Sequence, residues 1–127
     1  MTQTTLVSIV ESTLHPNYSD LYQKNGLTET KVNSIRKAIS IIKKQPVKFI
    51  VAEFFYAYNS NYSGVAKSNL DVLFVSLQKY SPETRVIVLV EKSEKKFVNV
   101  LHELDFPVHA ILVHPTSPDQ IEKLLTI

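Results

Sequence analysis

Apolar positions in this chain come in short, nearly unbroken runs separated by longer segments with helical spacing. Thr5–Val10 (TLVSIV), Lys48–Ala52 (KFIVA), Arg85–Val90 (RVIVLV) and Ala110–Val113 (AILV) are the runs. They are brief and rich in β-branched residues, and they predict strands buried on both faces, as in a parallel sheet covered by helices. Between them, Asn33–Lys44 sets Ile35, Ile39 and Ile42 on one stripe with basic residues opposite, Asn33 serving as N-cap and Pro46 stopping the helix. Ser68–Tyr80 carries Leu70, Leu73, Phe74 and Leu77 at helical spacing, with Ser68 and Asp71 as a weaker capping box. Ser93–Leu104 aligns Phe97, Val100, Leu101 and Leu104. Ser117-Pro118-Asp119-Gln120 opens a last helix that turns Ile121, Leu124 and Leu125 inward. Pro16–Asn25 reads as a short helix closed by Gly26, and Leu27–Val32 as an edge strand. Strand and helix alternate five times, which predicts an α/β domain, doubly wound, with right-handed crossovers and helices on both faces.

Composition narrows the chemistry. The 127 residues suit one domain, 1–127, and a chain of this length buries about 65–70% of its unfolded surface without staples. With no cysteine there is no disulfide, thiolate metal site or cysteine nucleophile. Gly26 and Gly64 are the only glycines, so neither a GxGxxG nor a Walker A loop can be assembled. No apolar run approaches the ~20 residues that span a bilayer, and the N-terminus lacks the basic start of a secretory signal, so a cytoplasmic protein away from membranes is expected. Net charge is +2, which does not point to direct nucleic-acid binding. Lys31, Arg36, Lys37, Lys43, Lys44 and Lys48 nevertheless occupy one stretch free of acids, either a solvated helix face or a docking patch for an acidic partner.

The pattern resembles the receiver domain of response regulators, whose flavodoxin-like fold has a five-stranded parallel sheet of order 2-1-3-4-5. SPETRVIVLV (Ser81–Val90) and AILVHPTSPDQIEKLL (Ala110–Leu125) carry the resemblance most specifically, KKQPVKFIVAE (Lys43–Glu53) looks like the run into the phosphoacceptor aspartate, and Gly26 sits where receivers close their first helix. Receivers hold magnesium with two acids after the first strand and the aspartate ending the third. That aspartate takes a phosphoryl group, whose oxygens meet a Thr or Ser after strand four and a Lys after strand five. Here the acidic pair becomes Glu11-Ser12, the phosphoacceptor Glu53, the Thr Val90 and the Lys His114, with Pro115 kept; the aromatic switch position of the fifth strand falls on Ile111. The extra methylene of Glu displaces the carboxylate by about 1 Å in a chemistry that works by positioning. The resemblance therefore implies a degenerate pseudo-receiver, with Glu53 a partly exposed carboxylate at a strand end. Such a module is no enzyme and needs no cofactor. The resemblance implies binding to a signalling or regulatory protein and a homodimer through the last two helices, with no DNA-binding output segment expected after Ile127.

Placed on this fold, Glu11, Glu53, Glu91 and His114 all end strands at one sheet edge, where open α/β sheets bind ligands. The alternative reading is thus a small enzyme or a divalent-metal or ligand-binding protein using that cluster. A plain hydrogen bond from His114 to Glu53 or Glu11 is the simpler arrangement. His15, His102 and His109 read as ordinary surface or half-buried histidines. Phe54, Phe55, Tyr56, Tyr58 and Tyr62 fall within nine positions. Phe54 or Phe55 packs under the next helix, and Phe55, Tyr56, Tyr58 and Tyr62 offer the amphipathic aromatic surface typical of partner-binding loops.

Overall fold

The computed structural model describes residues 5–55, 68–103 and 108–125, and of 99–103 the backbone alone. The strands are β1 (Leu6–Ile9), β2 (Glu29–Val32), β3 (Phe49–Glu53), β4 (Arg85–Val90) and β5 (Ala110–Val113). The helices are α1 (Ser19–Lys24), α2 (Ile35–Lys44), α3 (Asp71–Tyr80) and α4 (Pro118–Leu125), with a 3₁₀ helix over Lys92–Glu103. All five strands run parallel in the order β2-β1-β3-β4-β5. That is the expected doubly wound sheet.

The strand alternation sorts side chains into two cores. Val7, Ile9, Ile50, Ala52, Val86 and Val88 face α2, α3 and the 3₁₀ helix, where Ala38, Ile42, Leu73, Phe74, Leu77 and Val98 meet them. Leu6, Phe49, Val51, Ile87 and Leu89 face α1 and α4 and meet Tyr22, Ile121 and Leu125. Glu53 continues the second series, two residues beyond Val51, so its side chain leaves the sheet on the α1/α4 side. Phe54, on the other side, is buried beneath α3 with Leu70 and Phe74.

The helix ends correct the sequence reading in four places. Ser34, not Asn33, caps α2: its backbone is extended and its hydroxyl accepts the Lys37 N–H at 3.2 Å. The first helix starts at Ser19 instead of Pro16, because the Asn17 side chain accepts the Ser19 N–H at 3.1 Å and turns the chain there. Its end matches expectation: Gly26 at φ 77 gives its N–H to Gln23 O while Leu27 N–H reaches Tyr22 O, the paired bonds of a Schellman motif. The third helix begins at Asp71, since the Ser68 hydroxyl bonds the Asp71 carboxylate at 2.7 Å. The segment after β4 is 3₁₀ and not α; Val98-Asn99-Val100 is a poor α-helix former at its centre. The α4 capping box forms as read, with Ser117 N–H donating to Gln120 Oε1 at 2.9 Å and Gln120 N–H to Ser117 Oγ at 3.3 Å. β5 is only half-buried, as an edge strand with a neighbour on one side.

Candidate functional site

Because β1 and β3 are neighbours, the loops leaving their C-terminal ends meet over one spot. Glu53 occupies it. Its residue exposure is 2%, so the expectation of a partly exposed carboxylate is overturned. Burial of a carboxylate is tolerated when it accepts enough hydrogen bonds. Glu53 Oε2 accepts the N–H of Glu11 at 2.7 Å and that of Ser12 at 3.0 Å, and Oε1 accepts the Ser12 hydroxyl. His15 Nδ1 lies 3.6 Å from Oε2, at ion-pair distance, with only 2% of its side chain exposed. Burial alone would raise the Glu53 carboxyl. Together His15, the Ser12 hydroxyl and the Glu11 N–H outweigh that effect and hold it below the ordinary carboxylate range. Glu11 moves the other way: burial and the nearby Glu53 charge raise it, against a lowering bond from Asn69.

Asn69 closes the arrangement from the α3 side. Its amide nitrogen donates to Glu53 O at 2.7 Å and to Glu11 Oε1 at 3.0 Å, and its oxygen accepts the Phe55 N–H at 2.7 Å. One buried side chain thereby ties β3, the loop after β1 and the turn into α3.

The candidates from the sequence are distributed unevenly around this centre. Glu11, Ser12 and Glu53 come together. Val90 is fully buried at the end of β4, and the His114 N–H bonds its carbonyl at 2.9 Å. His114 is half-buried before a cis peptide to Pro115, and Glu91 is half-buried. No hydrogen bond joins His114 to Glu53 or Glu11 among the described residues; the imidazole beside Glu53 belongs to His15, because the loop after β1 doubles back through a His15 N–H to Ser12 O bond. Among the described residues no three His, Cys, Asp or Glu side chains gather as ligands for a metal ion, so Glu11, Glu53, Glu91 and His114 do not converge. Phe55 is half-buried, whereas Tyr56, Tyr58 and Tyr62 lie outside the described residues. His15 and Asn69 are the members that sequence reasoning missed. His15 was visible as a histidine four positions after Glu11, and Asn69 as an amide just ahead of the third helix.

Neither a family model nor a curated protein matches the sequence. Solved structures do match the fold. The Vibrio cholerae chemotaxis protein CheY4 superposes with a TM-score of 0.69 at 14% identity, covering 98% of this chain and 97% of that one. A response regulator receiver domain protein from Clostridium thermocellum gives 0.69 at 14% identity over 96% and 90% of the two chains. A response regulator from Thermotoga maritima gives 0.66 at 12% identity over 99% and 100%. In strand order, helix placement and extent, this chain has the fold of the receiver domains of response regulators.

Proposed function

We propose that the chain is a receiver-like interaction module in signalling or regulation that is not switched by phosphorylation at the end of β3. One observation carries this reading: both Glu53 carboxylate oxygens are already engaged by donors from the chain itself. A phosphoacceptor needs a carboxylate oxygen free for in-line attack and cations around the incoming group. Val90 and His114 stand where receivers place a hydroxyl and a lysine. In place of a vacant acidic pocket, the end of the sheet is filled by hydrogen bonds internal to the chain.

Partner recognition then falls to other surfaces, one of them beside that point. The segment Phe55–Tyr62, with Tyr56, Tyr58 and Tyr62, is the proposed contact for a signalling protein, and the faces of the 3₁₀ helix and α4 the proposed contact between two copies. Incubation with acetyl phosphate and magnesium, followed by intact mass measurement, tests the switchless reading. No added phosphate is expected. A stoichiometric adduct mapping to Glu53 would overturn it.

A further inference from the structure

Helices α2 and α3 lie side by side on one face of the sheet, with a groove of about 580 Å³ between them. Ile35 and Ile39 from α2 and Val72 from α3 line it. Val72 is 55% exposed and Val75, almost one turn on, 62%. Among the described residues four large apolar side chains are well exposed, and three of them, Val72, Val75 and Tyr80, belong to α3. An apolar strip left to water beside a groove marks an interaction surface.

The charge along this strip is mostly of one sign. Arg36 and Lys43, two turns apart on α2, line the same groove and are exposed. Lys43 Nζ and Lys79 Nζ lie 5.7 and 5.3 Å from the centre of the Tyr80 ring, so two ammonium groups gather at the C-terminal ends of the two helices. Among the described residues no acid forms an ion pair with Arg36, Lys43 or Lys79. Glu11 lines the opposite end, where its Oε1 accepts the Asn69 amide at 3.0 Å. Like charges held together favour an anionic group placed among them.

We propose that this groove docks an acidic, amphipathic helix of a partner protein, its apolar stripe set on Ile39, Val72 and Val75 and its carboxylates facing Arg36, Lys43 and Lys79. A helix laid in a groove is read through apolar anchors at three- and four-residue spacing, and the rim of cations selects acids between them. A second copy of this chain does not suit the surface, because a two-fold interface sets the patch against itself, cation facing cation. A bilayer is flat where this surface is concave, and the aliphatic floor gives nucleic-acid bases no ring to stack on. The groove shares no residue with Phe55–Tyr62, the 3₁₀ helix or α4, so it is a contact additional to those proposed above.

The test is selection of a random peptide library, displayed on phage, on the immobilised full chain. Counter-selection uses the variant Arg36→Gln/Lys43→Gln/Val72→Gln/Val75→Gln, which alters exposed positions alone and should melt close to the wild type. Should it fail to fold, Arg36→Gln with Lys43→Gln takes its place. Retained peptides should be rich in Asp and Glu around apolar residues at helical spacing. A synthetic copy should shift the backbone amides of Ile39, Lys43, Val72 and Val75 saturably. Its affinity should fall several-fold on Arg36→Gln with Lys43→Gln, on exchange of its carboxylates for amides, and on raising the salt. The proposal is overturned if no peptide survives counter-selection, if the survivors carry no excess of acids, if the shifts map elsewhere, or if the folded variant binds as well as the wild type. It is equally overturned if oligouridylate or phosphatidylserine vesicles move the same amides at lower concentration than the peptide.

Discussion

Glu53 is held by more donors than any other side chain described here, and its worth to the fold follows from that. Changing Glu53→Gln keeps the shape but sets an amide N–H₂ against donors from Glu11 and Ser12. A loss of about 1–3 kcal/mol at neutral pH is expected, readable by urea denaturation. The pH dependence has a definite sign. Because the folded chain lowers the carboxyl from its ordinary 4.5, the stabilisation is complete above that value and disappears as pH falls through the lower folded value. The gap between wild type and variant should therefore close on acidification below pH 4.5, and a gap that widens there would contradict the hydrogen-bond pattern. Glu11 acts oppositely, since its carboxyl is raised in the folded chain and acid relieves the burden of its charge. Gly26 offers a second check on a single residue. A Cβ there would meet nothing within 4 Å, so Gly26→Ala carries only the backbone penalty of φ 77, about 1 kcal/mol. Gly26→Asn should recover part of it, because Asn tolerates the left-handed region.

At the level of elements, β3 and β4 form the centre of the sheet, and Ile50 and Val88 are fully buried there. Truncating Ile50→Ala should destabilise by about 2–4 kcal/mol and Val88→Ala by somewhat less, through lost transfer energy and the cavity left behind. Losses under about 0.5 kcal/mol at both would be incompatible with a central position. These strands were legible in the sequence because RVIVLV and AILV are unbroken and flanked by polar residues, and β4 and β5 fall on the predicted residues. Helix starts were less so. Asn33 and Ser34 are both good caps, and only the path of the backbone decides which one reaches the Lys37 N–H. The site shows the same division. Glu11, Ser12 and Glu53 were brought together by strand order alone. His15 and Asn69 were not, because they reach the carboxylate and its loop by the fold-back of turns, for which no periodicity exists. Burial of Glu53 was missed for that reason: without the loop donors, a charged residue at a strand end belongs in water.

For the molecule as a whole, the chain has the receiver fold, with a buried glutamate at the end of β3. At the C-terminal sheet edge, Glu53 and Asn69 tie β3 to the loop after β1 and to the turn into α3. A likeness at 12–14% identity fixes the fold and leaves the chemistry to the side chains of the site. The strand order has a further outcome. β1, though first in sequence, lies inside the sheet between β2 and β3. Its amides cannot be reached by fraying from the N-terminus, since freeing them means separating strands on both sides. In deuterated water the N–H groups of Val7, Ile9, Ile50 and Val88 should therefore exchange together, at the rate set by global opening, while those of β2 and β5 exchange sooner through local opening at the rims. Faster exchange in β1 than in β5 would mean that the first strand is bound less firmly than its place in the sheet requires.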